Sequence, residues 1–143
     1  MEFVNGRTIM TRAPRTELDA LAWVAERLAW ERLLRRLKQE YPPTPIALTE
    51  NGAAFDDTVG PDGRVHDPCR IAYLRDHLIA LHRAIQAGVD VRAYFVWSLL
   101  DNFEWTFGYS KRFGLVYVDY PTQRRIVKDS GEWYAQVIAR NGL

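Results

Sequence analysis

Helical periodicity and short apolar runs alternate along this chain, and this alternation limits the fold more than any other feature of the sequence. Residues 17–40 place Leu and Ala at steps of three and four, which predicts an amphipathic helix. A second helical pattern begins at Asp67-Pro68, an N-cap acid followed by proline, and ends at Gly88. It separates two apolar runs, 46–49 and 89–100, that are typical of buried strands. Strands separated by helices of this length indicate βαβ units and a parallel sheet.

The remaining segments complete an order of strand, helix, strand, helix, strand, loop and helix. Residues 3–11 predict a first strand, interrupted by Asn5-Gly6. The run at 89–100 shows little alternation, which is typical of a strand that is buried on both faces. The other predicted segments are a loop at 51–66, a polar and aromatic loop at 101–111, a short strand pair at 113–120 and a closing helix at 130–139.

Length and charge restrict the classes of function that fit the chain. Its 143 residues suit a single domain over 1–143 and fall short of the roughly 250 residues that a complete (β/α)8 barrel typically needs. The 19 basic and 18 acidic residues give a net charge of +1, so no charge imbalance favours nucleic acid or a membrane surface as a partner. No apolar stretch approaches the about 20 residues of a membrane span.

The cysteine and histidine content argues against disulfides and metal sites. Cys69 is the single cysteine, so no internal disulfide can form, which fits a reducing, cytoplasmic location. The three histidines show no metal-ligand spacing with cysteines or acids, and no metal or other cofactor is predicted. His77 and His82 are five residues apart in the second helix, and we expect both on its surface.

The residues that could carry chemistry follow the ends of the two apolar runs. Glu50 comes directly after the first run and before Asn51-Gly52, and the carboxyl ends of strands are where barrel enzymes keep their catalytic groups. The second run contains Trp97 and leads into the polar segment around Glu104-Trp105. An aromatic plane beside a carboxylate suits a sugar, because the plane stacks on the ring face and the carboxylate binds hydroxyls. A structural loop with a packed tryptophan is the alternative interpretation.

Three segments in this order resemble the C-terminal part of a family 1 glycoside hydrolase. They are Thr49-Glu50-Asn51-Gly52, the nonapeptide WSLLDNFEW at 97–105 and the heptapeptide GYSKRFG at 108–114, and the similarity, supported by residues 63–67 and 125–130, runs from about Ile46 to the end. The family consists of retaining β-glucosidases and β-galactosidases built on a (β/α)8 barrel. The resemblance therefore implies the α/β class, as a partial (β/α)8 TIM barrel of about the last three βα units, with parallel strands and outer helices.

The resemblance also implies a role for individual side chains. Glu50 matches the catalytic nucleophile, which forms a glycosyl-enzyme intermediate. Trp97 matches the aromatic floor of the glycone subsite, and the peptide bond between Trp97 and Ser98 is cis in the family. The remaining matches are Glu104 to the acid that holds the 4- and 6-hydroxyls, Trp105 to the tryptophan at the 3- and 4-hydroxyl edge, and Phe113 to an aromatic that lines the same subsite.

Other parts of the family's apparatus are absent from this sequence. A retaining glycosidase also needs a protonated carboxyl roughly 5 Å from the nucleophile. In the family that carboxyl belongs to an Asn-Glu-Pro motif, which this chain lacks, as it lacks the early Gln and the His-Trp pair of the subsite. Residues 1–45 diverge, with Val4-Asn5-Gly6-Arg7-Thr8 in place of a strand end that carries tyrosine, whereas 46–143 are strongly family-like. Engineering or minimisation of a barrel would explain both features.

Three functions are compatible with these observations. The first is a β-glycosidase segment that hydrolyses β-D-glucosides through Glu50 and has weak or no activity alone, since general acid help is worth about 10²- to 10⁴-fold. The second is a non-catalytic scaffold, because three parallel strands covered on one side would expose a face and two edges to a second copy or a complementary barrel fragment. The first helix could instead cover that face. The third is a sugar-binding module without turnover.

Overall fold

The computed structural model describes residues 3–4, 7–8 and 17–143, with side chains from residue 29 onwards. Strands and helices follow the predicted alternation. In chain order they are β1 Phe3–Val4, β2 Arg7–Thr8, α1 Glu17–Glu40, β3 Ile46–Asn51, α2 Pro68–Gln86, β4 Val91–Val96, β5 Val116–Val118, β6 Arg125–Val127 and α3 Asp129–Arg140. A single 3₁₀ turn, Trp105–Phe107, lies between β4 and β5.

A βαβ unit forms the centre of the fold. Strands β3 and β4 pair in parallel and α2 connects them. Helices α1 and α2 pack on one face of this pair, where Leu34, Leu81, Ala84 and Val89 form a buried cluster. Burying a leucine side chain contributes about 1.5–3 kcal/mol, so this cluster fixes the helix layer on the strands. The α/β class with parallel strands is thereby confirmed.

The first predicted strand does not join the parallel pair. Phe3–Val4 and Arg7–Thr8 pair with one another in antiparallel register, and no third parallel strand occurs among the described residues. The sequence supplies a reason, since an Asn-Gly dipeptide such as Asn5-Gly6 between two short strands is a strong hairpin signal. Residues 5–6 and 9–11 of the predicted strand lie outside the described part.

The strand predicted at 89–100 is shorter and more exposed than its composition indicated. Strand β4 spans Val91–Val96, and its side chains are not buried on both faces. Phe95 is 57% exposed, because the helices cover only the side of the pair that holds Tyr94 and Val96. The opposite side of the strand pair, together with Leu99 and Leu100 beyond β4, is open; Leu99 is 68% exposed. We call this side the open face.

The C-terminal part adds an antiparallel pair and a helix. Strand β5 lies within the predicted pair at 113–120, but its partner is β6, which the sequence did not single out as a strand. Helix α3 covers the predicted closing helix and extends it by one residue at each end. Leu115 joins Ala53, Tyr73 and Leu74 in a second buried cluster, so the end of the chain packs on α2.

His77 and Asp67 differ from their predicted environments. His77 is buried, at 1% exposure, with Nδ1 2.8 Å from the Tyr73 carbonyl oxygen and its ring 5.5 Å from that of Trp30. It faces α1 instead of solvent, whereas His82 is exposed as expected. Asp67 stands at the N-cap of α2 but makes no capping hydrogen bond, because its carboxylate binds Arg70 and Ser130.

Two features that would indicate other classes of protein do not occur in the described part of the chain. None of its helices combines the length and apolar character that crossing a membrane requires. The described residues contain no cluster of three or more histidine, cysteine, aspartate or glutamate side chains that could bind a metal ion.

Candidate active site

Glu50 lies at a β-bulge close to the end of β3. Leu48 pairs with Tyr94 and Asn51 pairs with Val96, so three residue steps along β3 match two along β4. A bulge reverses the alternation of side chains beyond it, since a shift by one residue moves each side chain to the other face. Leu48 packs toward the helices, and without the bulge Glu50 would follow it there. Instead Glu50 is exposed and Asn51 is buried.

A glycine lets the ends of β3 and β4 meet. The Trp97 amide donates to the Asn51 carbonyl oxygen at 3.0 Å. A Cβ atom on Gly52 would lie 1.7 Å from the Trp97 carbonyl oxygen, so any larger residue at 52 would force the two strand ends apart. The peptide bond between Trp97 and Ser98 is cis, as the resemblance implied. Trp97 therefore stands directly beside the strand end that carries Glu50.

The loop after β4 brings Glu104 back to Trp97 at the end of the strand pair. Its Oε1 accepts a hydrogen bond from Trp97 Nε1 at 3.2 Å, and the residue is only 4% exposed. Burial raises the pKa of the Glu104 carboxyl, the Glu50 charge raises it further, and the Trp97 hydrogen bond opposes both. The Glu50 contribution places the two carboxylates within electrostatic reach of each other.

The two remaining predicted residues flank this group. Trp105 begins the 3₁₀ turn next to Glu104, and its side chain is largely open, at 77% exposure. Phe113 is half-buried, and its carbonyl oxygen accepts a hydrogen bond from the Ser98 amide at 3.2 Å. Among the five predicted site residues, Trp97 and Glu104 are joined by a direct hydrogen bond between their side chains. The other members meet through the strand ends and the loop.

A buried ion cluster supports the loop that carries Glu104 and Trp105. Its members are Asp57, Asp67, Arg70, Asp101, Arg112 and Lys128. Lys128 Nζ lies 2.5 Å from Asp57 Oδ2 and 2.8 Å from Asp101 Oδ1. Asp101 also binds Arg112 at 2.6 Å and accepts the Gly114 amide at 2.9 Å. Both ends of the loop are therefore fixed to the same carboxylate.

A close backbone contact at Gly114 and the burial of Lys128 also restrict the shape of this loop. A Cβ atom on Gly114 would lie 2.2 Å from the Asp101 nitrogen, so glycine is required where the loop returns. Burial, followed by the charge of Arg70, lowers the pKa of Lys128, while Asp57 and Asp101 favour its charged form. Ionised groups removed from water need nearly complete pairing, and the three acids and three bases of the cluster supply it.

Comparison with known proteins places this arrangement in a family. The sequence profile described as Glycosyl hydrolase family 1 matches residues 5–143, nearly the whole chain. The chain belongs to glycosyl hydrolase family 1.

Individual family 1 proteins match at high identity. Beta-glucosidase A of Thermotoga maritima is 60% identical over 126 residues, which cover 87% of this chain. Beta-glucosidase A of Acetivibrio thermocellus is 45% identical over 141 residues, which cover 99% of it. The solved family 1 β-glucosidase from Thermotoga maritima superposes with a TM-score of 0.78 over 80% of this chain at 61% identity. Another structure of that enzyme holds glucoimidazole.

The chain spans only part of these family 1 relatives. The matches cover 28% and 31% of the two β-glucosidases and 26% of the solved chain. The remainder of a family 1 protein is not represented in the 143 residues.

Two groups of residues around this candidate site were not predicted from the sequence. One is the buried ion cluster, whose members lie between residues 57 and 128 and reveal no pattern by their spacing. The other is formed by Tyr73 and Tyr94, which both hydrogen-bond to the side chain of Asn51, the residue after Glu50. The predicted loop at 51–66 began at Asn51, yet Asn51 lies within β3. The spacing of apolar residues along α2 is the sequence signal that could have indicated that Tyr73 faces inward.

Proposed function

We propose that this chain is the nucleophile-bearing segment of a retaining β-glycosidase that acts on β-D-glucosides. In this proposal Glu50 attacks the anomeric carbon and forms the glycosyl-enzyme intermediate. The observation that carries it is the position of Glu50, which is exposed at a register shift near the end of β3, beside the strand end of Trp97, and whose charge acts on the Glu104 carboxyl. A cytoplasmic location and a single domain over 1–143 are parts of the same proposal.

The neighbouring residues would bind the glycone. The half-exposed Trp97 ring offers a plane for stacking against the sugar. Glu104 would accept hydrogen bonds from the 4- and 6-hydroxyls while its other contact, to the Trp97 ring nitrogen, fixes its direction. Trp105 would meet the 3- and 4-hydroxyl edge, and Phe113 would line the subsite. The names of relatives that are β-glucosidases, and a relative's complex with glucoimidazole, support glucosides as the class.

Only half of the retaining mechanism would be carried by these residues. The second carboxyl, which protonates the leaving group, has no counterpart in the form of an Asn-Glu-Pro motif in this sequence. Because general acid catalysis is worth about 10²- to 10⁴-fold, we expect weak or no hydrolysis of ordinary glucosides by the chain alone. A substrate with a very good leaving group needs this assistance least, so it should still transfer its glycosyl group to Glu50.

Covalent trapping tests this proposal. The chain is incubated with an activated 2-deoxy-2-fluoro-glucoside, and the intact mass and peptide map are measured. We expect one glycosyl adduct on Glu50, no adduct with Glu50→Gln, and an unchanged adduct with Glu40→Gln. Glu40 is a suitable control because it is an exposed glutamate that pairs with Arg36 at the end of α1. Absence of an adduct in the unmodified chain, or an adduct on another residue, would contradict the assignment.

A second function, as an assembly module, is favoured by the open face. Phe95, Leu99 and Phe103 are each more than half exposed on or beyond β4. We propose that this face binds a second copy of the chain or a complementary barrel segment, whichever is present. In the absence of a trapped adduct, this function would remain, with Trp97 and Glu104 as inherited features of the family.

A further inference from the structure

A buried set of polar side chains lies directly behind Glu50. Tyr94 Oη donates to Asn51 Oδ1 at 2.6 Å, and Asn51 Nδ2 donates to Tyr73 Oη at 3.1 Å. Asn51 and Tyr73 are 7% and 5% exposed, so these bonds form away from water. They join the end of β3 to α2 and to β4. We call Asn51, Tyr73 and Tyr94 the amide clamp.

The clamp acts at the residue where the bulge ends. The extra residue of the bulge lies between Leu48 and Asn51, so the position of Asn51 decides which face the Glu50 side chain takes. The side chain of Asn51 is held through both its donor and its acceptor, and its carbonyl oxygen accepts the Trp97 amide at 3.0 Å. A slip of one residue would break all three bonds at once and leave buried polar groups without partners, which is costly.

The buried hydrogen bonds also fix the orientation of the Asn51 side-chain amide. An asparagine amide has distinct donor and acceptor ends, so the two tyrosines specify one orientation of the Asn51 side chain. Tyr94 receives further support on its main chain, where Tyr134 Oη donates to the Tyr94 carbonyl oxygen at 3.3 Å. Tyr134 thus contacts the same strand without reaching Asn51. It offers a matched comparison for the loss of one phenolic hydroxyl.

We propose that Asn51, Tyr73 and Tyr94 are positioning residues, which hold the bulge in one register so that the Glu50 carboxylate points to the open face in the direction of attack. This proposal rests on the function proposed for Glu50. The three residues touch no substrate. They act through the backbone of β3. Their effect on the chemistry of Glu50 comes only from the position and direction that they give its carboxylate.

The first test compares glycosylation rates. Tyr94→Phe and Tyr73→Phe each remove one hydroxyl of the clamp, and Tyr134→Phe removes the neighbouring one. With the activated 2-deoxy-2-fluoro-glucoside, we expect the rate constant for adduct formation at saturation to fall on the order of 10- to 100-fold in the clamp variants, because small misplacements of a nucleophile have effects of this size. The half-saturating concentration and the Tyr134→Phe rate should remain unchanged. Equal rates in Tyr94→Phe and Tyr134→Phe would overturn the proposal.

A double-mutant cycle tests whether the tyrosine acts through the amide. If Tyr94 influences Glu50 by way of Asn51, then Asn51→Ala combined with Tyr94→Phe should react no more slowly than Asn51→Ala alone. Additive losses in the double variant would mean that Tyr94 acts by another route, and the clamp would be rejected. Unfolding midpoints of all variants, measured in parallel, separate a fall in rate from a loss of folded protein.

Amide hydrogen exchange tests the clamp independently of sugar chemistry. The Trp97 amide, which donates to Asn51, should exchange faster in Tyr94→Phe than in Tyr134→Phe if the clamp holds the strand ends together. Equal exchange in the two variants would refute the clamp. If the unmodified chain takes no label, the function proposed for Glu50 fails, and the exchange comparison still decides whether the clamp exists.

Discussion

Among individual residues, Glu104 has the environment that least suits its charge. It is almost fully buried, its carboxylate accepts a hydrogen bond from Trp97, and the charge of Glu50 acts on it. Burial and a neighbouring like charge both disfavour ionisation, and this is why the pKa of Glu104 is raised. A side chain that destabilises the folded chain in this way is typical of a functional site.

Glu104→Gln should stabilise the chain at neutral pH and weaken sugar binding. Because the pKa of Glu104 is higher in the folded state, the folded chain loses stability as pH rises above the ordinary value of 4.5. Glutamine carries no charge and its side-chain oxygen can still accept from Trp97. We therefore expect a higher unfolding midpoint than the unmodified chain at pH 7 and no difference below about pH 4. Affinity for a glucoside should fall about tenfold, since a charged hydrogen bond contributes about 1.5–3 kcal/mol and the neutral one that glutamine can still accept contributes about 0.5–1.5 kcal/mol.

Thermal unfolding over a pH series, together with titration of a glucoside, measures both effects. Glu40→Gln is the control, because Glu40 is exposed and lies on α1. A midpoint that is lower in Glu104→Gln at neutral pH would show that the carboxylate stabilises the fold, contrary to the direction of its pKa shift.

The residues of the candidate site were predicted from the sequence, whereas the burial and contacts of their neighbours were not. Glu50, Trp97 and Glu104 stand out because charged and aromatic residues follow apolar runs, and the matching family segments reinforce them. The surface position predicted for His77 was wrong because helical periodicity does not include α1, which packs against this histidine at the Trp30 ring. Burial of a polar residue depends on which element lies opposite, and the pattern of one helix alone does not supply that information.

Among the structural elements, the loop after β4 depends on buried charges for its shape. Lys128 lies at the start of α3 and is fully buried between Asp57 and Asp101. The bonds from Asp101 to Arg112 and Gly114 then close the loop that carries Glu104. A charge pair of this kind contributes to a specific geometry, and removing one partner is costly because the other charge stays buried.

Lys128→Met should destabilise the chain by about 3–5 kcal/mol, as expected when a buried ion pair loses one member. The methionine fills a similar volume, so the cost arises from the carboxylates of Asp57 and Asp101. Lys111→Met is the control, since Lys111 forms no ion pair among the described residues and a change there should stay within about 0.5 kcal/mol. Urea unfolding gives both free energies. A loss below about 1 kcal/mol for Lys128→Met would mean that the ion cluster does not hold the loop.

The sequence predicted the central elements well and the register of the strands poorly. Helix α1 has the bounds that its Leu and Ala periodicity indicated, because a long amphipathic pattern is a strong signal. The bulge at Glu50 left no mark in the sequence, since it is defined by the pairing with β4. Strand β6 was not predicted because Arg125–Val127 is too short for a periodic pattern and is defined by its pairing with β5.

At the scale of the whole molecule, the helices cover one side of the parallel pair and leave the other open. Among the described residues, β3 and β4 pair with no further strand of the sheet, so each has one free edge. Helix α1 packs beside α2 and contributes Leu34 to the buried side. It therefore does not cover the open face, where Phe95 and Leu99 remain exposed.

We expect the isolated chain to associate with itself as its concentration rises. Free strand edges and exposed apolar side chains such as Phe95 and Leu99 favour pairing with another chain, and the family 1 relatives that it matches are more than three times as long. Light scattering should give an average mass above that of one chain, rising with concentration. Phe95→Ser combined with Leu99→Ser should lower this mass toward the monomer. Ile138→Ser should not, because Ile138 is equally exposed, at 63%, but lies on α3. A clean monomer at high concentration, or equal effects of the two changes, would mean that the open face does not bind a partner.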